Sequence, residues 1–226
     1  MKDRDLLRQV STIQTVPSLR EQVATWLRSA LFTGDLGPGS TFSVPALAEQ
    51  FGISATPVRE AVLDLVQQGL VVAVPSKGFL VVNPSSETIE QSVEIRRLVE
   101  VPTNCRIAEW VMPEDLAPLR IMAKQILTHA REVDLRSFVE VDYLFHRGVT
   151  GLAGNPMLTD LVEDLRSRAR VVTVPYIASK HLLIKAAHEH KRLLDAMQAR
   201  DMADVKAVTE QHMSYALAQA AHTKSG

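Results

Sequence analysis

Apolar positions in residues 17–33 recur every three or four places. Val23, Trp26, Leu27, Ala30 and Leu31 share one face, and this spacing predicts a helix. Gly34-Asp35-Leu36-Gly37-Pro38-Gly39-Ser40 interrupts the pattern with residues that punctuate helices. A short second helix follows to Gln50, with Ser43 as N-cap and Pro45 in its first turn. Gly52-Ile53-Ser54-Ala55 makes a tight turn. A third helix is predicted over about 56–68, capped by Ser54 or Thr56 and stopped by Gly69. The pattern then turns β-branched. Leu70-Val71-Val72-Ala73-Val74 and Phe79-Leu80-Val81-Val82 flank Pro75-Ser76-Lys77-Gly78, which reads as a hairpin with a glycine-containing turn. Asn83-Pro84-Ser85-Ser86 has linker chemistry and marks a domain boundary.

From Glu87 onward the period is helical throughout. Breaks at Met112-Pro113, Val133-Asp134, Gly151 to Pro156, Ser179 and Asp201 leave six amphipathic helices. They cover about 87–110, 114–131, 135–150, 157–174, 181–199 and 202–221. Val171, Val172, Thr173 and Val174 favour strand locally, but the surrounding period makes a helix the better assignment. Helix, helix, tight turn, helix and hairpin form the order of a winged helix-turn-helix, whose last helix enters the DNA major groove. The expectation is a mainly α protein. It has an arm over 1–16, a winged helix-turn-helix with a small β-hairpin wing over 17–83, and an all-helical domain over 84–226.

The composition changes this picture little. A chain of 226 residues holds one large domain or two small ones. Hydrophobic residues at 46% and charged residues at 23% exclude a disordered chain. The single cysteine, Cys105, excludes an intrachain disulfide and a cysteine-based zinc site. The first ten residues mix charges and lack the apolar core of a signal peptide. No apolar run approaches the roughly 18 residues of a membrane span. The expectation is a soluble, cytoplasmic protein. The net charge of −1 gives no global sign of nucleic acid, and residues 1–83 carry seven basic and seven acidic side chains. Any DNA contact must therefore come from local placement. Arg59 lies one turn into the third helix, Lys77 and Gly78 lie at the hairpin turn, and Lys2, Arg4 and Arg8 lie in the arm.

The helical half carries candidate chemistry. Asp142 and His146, four residues apart, sit about 40° apart around a helix. Both fall within the apolar stripe of Leu135, Phe138, Val139 and Val149. His190 lies in the stripe of Leu183, Ala186, Ala187, Leu194 and Met197, and His212 in that of Val205, Val208 and Tyr215. Burying such groups unpaired is costly. Three imidazoles and a carboxylate on facing helices suit one divalent transition metal per chain, zinc first, with nickel, manganese and iron also accepted. His188 falls on the far side of its helix, and His129, His181 and His222 read as surface residues.

Two stretches are similar to known families. Leu47-Ala48-Glu49-Gln50-Phe51-Gly52-Ile53-Ser54-Ala55-Thr56-Pro57-Val58-Arg59-Glu60-Ala61 resembles the signature of the GntR family. The preceding Gly34–Gly39 turn, Gly69-Leu70 and Lys77-Gly78-Phe79 resemble its turn and wing. The resemblance implies DNA contacts by Ser54, Thr56, Arg59 and Gly78. Ala55 stands where the family usually has arginine, and Pro45 where some members have a basic residue.

Glu94-Ile95-Arg96-Arg97-Leu98-Val99-Glu100, Asp142-x-x-x-His146, Gly154-Asn155-Pro156, Glu189-His190 and His212 resemble the FadR C-terminal, or FCD, domain. Six helices resemble its smaller VanR-like branch. The resemblance implies a metal at Asp142, His146, His190 and His212, with Arg96 facing the ligand cavity. A guanidinium there suits a carboxylate effector. Otherwise Arg96 pairs with Glu100 at i,i+4 on an exposed face. The function implied is a ligand-responsive DNA-binding regulator, most simply a repressor and not an enzyme. It would act as a homodimer on near-palindromic operator DNA and sense a small organic acid. A metal-responsive sensor and a metal-dependent enzyme acting on a small carboxylate are the alternatives.

Overall fold

The computed structural model describes residues 17–179 and 181–224. The basic arm of Lys2, Arg4 and Arg8 lies outside them. Helix α1 (Leu19–Thr33) starts where expected. The Ser18 hydroxyl accepts the Glu21 N–H while the Glu21 carboxylate accepts the Ser18 N–H, a reciprocal capping box. Gly34, in the left-handed region at φ 89°, ends it. Ser43 caps α2 (Val44–Phe51), with Pro45 in the first turn, and α3 (Ala55–Gln67) follows the tight turn.

The wing is larger than the predicted hairpin. Strands β2 (Val71–Val74) and β3 (Gly78–Val81) are joined by β1 (Thr41–Phe42) in an antiparallel sheet of order β1-β3-β2. Thr41 faces Leu80 and Phe42 faces Phe79 across the added ladder, and the two phenyl rings stack at 5.9 Å. A two-residue strand between a turn and an N-cap is too short to show alternation, so β1 left no mark in the pattern.

Six helices complete the chain: α4 (Ser86–Trp110), α5 (Pro113–Glu132), α6 (Leu135–Gly151), α7 (Pro156–Ser179), α8 (Leu183–Ala199) and α9 (Met202–Lys224). The Asn155 carboxamide accepts the Leu158 N–H at the start of α7. Helix α7 runs past the expected stop at 174 and through Pro175. Val171, Val174 and Ile177 are buried, and core packing overrides their local strand preference. Each fully buried Leu or Phe contributes about 1.5–3 kcal/mol.

One core runs through both halves. In the winged helix-turn-helix, the head of the molecule, it holds Leu27, Leu31, Val58, Val62 and Leu65, and in the bundle Ile107, Leu116, Ile126, Phe145 and Leu194. Helix α1 joins the two by packing on α6 and α7. Polar ties at this joint are Arg136 to Asp35 at 3.2 Å and Arg168 Nε donating to the Gln68 carbonyl at 3.3 Å. Among the described residues, no helix is long and apolar enough to cross a membrane.

Candidate functional site

Helices α6, α8 and α9 deliver Asp142, His146, His190 and His212 to one point. One ligand atom from each lies within 4.8 Å of all the others. The three imidazole centroids form a triangle with each side 5.0 Å. Phe145 packs edge-on against His146 and His190 and supplies an apolar floor. Asp142 Oδ1 lies 2.9 Å from His190 Nε2 and 3.4 Å from His146 Nε2, and the two Nε2 atoms are 3.1 Å apart. An ion bound at about 2.0–2.1 Å sets adjacent donors about 2.9–3.4 Å apart, from square to tetrahedral angles. These three separations match that range.

The outward nitrogens decide what the inward ones can do. His190 Nδ1 meets the Ala187 carbonyl at 3.2 Å, and His212 Nδ1 meets Glu189 Oε2 at 3.0 Å. Both partners only accept, so Nδ1 holds the proton in the neutral form of each ring, which turns its lone pair inward at Nε2. The His190 lone pair and the Asp142 carboxylate oxygen 2.9 Å apart repel unless a cation or shared proton lies between them. The residues therefore fit a metal ion, which would satisfy all four donors at once.

Charge around the centre is arranged to keep it a ligand set. Burial pushes the His146 imidazole well below its ordinary 6.5 and outweighs the raising effect of Asp142. Burial lowers His212 as well, against the raising hydrogen bond from Glu189. Burial alone would raise Asp142, but His146 and Arg170 overcome it and hold the carboxyl well below the usual range. Since burial keeps His146 neutral, the lasting positive charge on Asp142 is that of Arg170. Arg170 Nη2 donates to Asp142 Oδ2 at 2.7 Å, and its Nη1 donates to Glu163 Oε1 at 2.8 Å. Tyr215 donates to Glu189 Oε1 at 2.8 Å and so fixes the carboxylate that orients His212.

Arg96 is buried, not exposed, and this corrects the open-face alternative. It does pair with Glu100, Nε to Oε1 at 2.5 Å, but inside the protein. The other Glu100 oxygen takes Arg166 Nη1 at 3.1 Å. Arg96, Glu100, Asn104 and Arg166 line a cavity of about 20 Å³ together with His146, His190 and His212. A second cavity of about 60 Å³ opens on the Asp142 and Arg170 side, also against Arg96. Burial lowers the Arg166 guanidinium to about 10, and its Nε is buried without a hydrogen-bond partner. Asn104 Oδ1 is unpartnered in the same cavity.

Sequence reasoning overlooked this supporting set. Glu163-x-x-Arg166-x-x-x-Arg170 spaces three charges at three and four along α7, which places them on one helix face.

At the other end of the chain, α3 presents Ser54, Thr56 and Arg59 on its exposed first turn. Ser54 occupies the N-cap position but makes no side-chain capping bond, so the expected cap is absent and its hydroxyl is free for other contacts. Asp64, further along the same helix, is taken by Arg20 through two bonds of 2.7 and 2.9 Å. Lys77 is exposed at the wing turn. Gly78 lies at φ 90°, and a Cβ there would meet the Phe42 carbonyl oxygen at 2.4 Å. Its close backbone approach is to β1 of its own wing. His188 and His181 are exposed, as expected, while His129 is half-buried beside Asp134.

Comparison with known proteins agrees with both halves. Residues 91–215 match the FCD domain, and residues 19–81 match the bacterial regulatory proteins of the gntR family. The chain is similar to the HTH-type transcriptional regulator McbR of Escherichia coli, 30% identical over 66% of this chain and 67% of that one. It is 25% identical to the HTH-type transcriptional repressor RspR of Escherichia coli over 86% of each chain. The solved structure of E. coli McbR/YncC covers 92% of this chain and 100% of its own, at 26% identity and a TM-score of 0.77. A GntR regulator from Rhodococcus superposes with a TM-score of 0.71 at 22% identity, covering 91% of this chain and 99% of its own, and shows the fold alone.

Proposed function

Because the chain belongs to the GntR family of bacterial regulatory proteins and carries an FCD domain, we propose that it is a cytoplasmic, operator-binding repressor governed by a metal centre. Asp142, His146, His190 and His212 hold one divalent transition ion, zinc first and nickel, manganese or iron as alternatives. When bound, that ion supplies positive charge and an open position for an oxygen ligand. The observation that carries the reading is the converging donor set, in which Ala187 and Glu189 fix the outer nitrogens of His190 and His212.

The effector is a small carboxylate, with Arg96 as its anchor. Arg96 spends its Nε on Glu100, and its Nη atoms bond no described residue, so they remain available to a bidentate partner. The cavity of about 20 Å³ holds roughly one water and not an organic acid. An acid entering this cavity displaces lining side chains such as Glu100 or Arg166, and that rearrangement lets a ligand favour one state over another. The same small volume favours a second reading, in which the ion alone is the signal. The relatives matched are transcriptional regulators, and the chain is a regulator and not an enzyme.

On DNA, the free hydroxyls of Ser54 and Thr56 meet phosphate at the α3 N-terminus. Arg59 reads a base edge or clamps a phosphate, and Lys77 and Gly78 bring the wing to the backbone. A homodimer on a near-palindromic site follows from two-fold matching of heads and half-sites. The test is selection of duplexes from a random pool by the full chain, followed by anisotropy titration. The selected duplex binds roughly 10³-fold or more tighter than random DNA. Arg59→Ala weakens it by about 5- to 150-fold, the equivalent of one lost base contact. Failure to enrich any sequence, or an Arg59→Ala variant equal to wild type, overturns the assignment. Operator affinity that follows zinc without added acid favours the ion as signal.

A further inference from the structure

Arg170 makes more contacts than aiming Asp142 requires. It is buried, and its two terminal nitrogens go to two buried carboxylates, Asp142 and Glu163. Glu163 is also held by Ser167 at 3.0 Å. The Arg170 guanidinium carbon then lies 5.8 Å from the centre of the Phe32 ring and 6.0 Å from that of Tyr143. Phe32 belongs to α1 of the reading head and is 1% exposed. Tyr143, next to Asp142 on α6, also has Arg28 of α1 over its ring at 5.1 Å. Cations at such distances are attracted to ring faces, more strongly where water is excluded. At its far end α1 is tied to α3 by the two-bond Arg20–Asp64 pair.

We propose that Arg170 is a positioning residue that carries the state of the metal centre to the reading head, through Phe32 and Tyr143. This inference rests on the metal reading above. The guanidinium divides between a carboxylate that faces the metal centre and one that does not. With Asp142 Oδ1 engaged by an ion, less of the carboxylate charge is left for Arg170. Its balance shifts toward Glu163 and the two rings on which α1 rests. A buried guanidinium cannot drop a partner without compensation, so the shift must be taken up by its neighbours. Every step is a direct contact, from Asp142 to Arg170, to Phe32, to α1, and to α3 through Asp64.

The experiment is hydrogen exchange on the full chain, stripped with EDTA and then loaded with zinc, with zinc binding followed by calorimetry. In wild type, zinc slows exchange at least threefold both in α8 around His190 and in α1. In Phe32→Leu, which touches no ligand, zinc binds within about twofold of wild type and still slows α8, while α1 no longer responds. Arg170→Lys keeps the charge but cannot serve both carboxylates and the rings. It binds zinc about 10- to 100-fold more weakly, the usual loss for an outer-shell partner, and at saturating zinc it also leaves α1 unresponsive. If zinc-loaded Phe32→Leu retains the wild-type response of α1, the relay is wrong. If zinc in wild type slows α8 but not α1, the relay is wrong and the metal reading stands. If zinc neither binds nor slows α8, both fall.

Discussion

Gly78 and the two depressed histidines show how much single residues decide. A side chain at 78 would drive into the Phe42 carbonyl at 2.4 Å and would need a left-handed backbone. Gly78→Ala is therefore expected to cost about 1–3 kcal/mol, read as a lower Tm of the full chain with zinc affinity unchanged. His146 and His212 are held neutral by burial. Their folded pKa values lie below 6.5, so the unfolded chain takes up protons near that pH and the folded chain does not. The stability they carry is complete above about pH 6.5 and is lost in acid, by about 1.4 kcal/mol per pH unit for each ring. Metal-free protein should show a Tm that falls from about pH 7 to about pH 5.5, and a flat Tm over that window would contradict the burial argument. The four inward residues were legible in the sequence because a polar residue in an apolar stripe breaks a visible pattern. Arg170 and Glu189 were not, since a charge on a helix announces neither its burial nor its partner on another helix.

The helices of the chain were legible wherever period and punctuation agreed. Gly34, Ser43 and Gly52 mark ends that the structure keeps. At α7 the period identified the helix, and the expected end at 174 falls short of the observed one. The buried contacts of Val171, Val174 and Ile177 carry the helix on to Ser179. Strand β1 was illegible for a different reason, because its two residues are defined by pairing with β3 and not by any pattern of their own. The recognition helix offers a test of the same kind. Ala55 opens α3 between Ser54 and Thr56, where relatives of this signature usually place arginine. Ala55→Arg should tighten or redirect binding to the selected duplex by about 1–3 kcal/mol, one base contact. Unchanged affinity and sequence preference would show that position 55 does not reach DNA.

For the molecule as a whole, the continuous core matters most. A head and an effector domain joined by a loose linker would move independently. Here α1 packs on α6 and α7, and the apolar cluster passes from Leu27 and Phe32 to Phe145 without a break. The helix that contributes Asp142 and His146 is therefore also one on which the reading head rests. The joint was not legible in the sequence, because it forms between residues a hundred or more positions apart. The account stands on the metal centre, and its occupancy is the measurement to make. Elemental analysis and native mass spectrometry of the purified full chain, beside the Asp142→Ala, His146→Ala double variant, should find about one divalent ion per chain in the first and none in the second. Absence of metal from both, even after adding zinc or nickel, would leave the four residues as a hydrogen-bonded polar core and contradict the account.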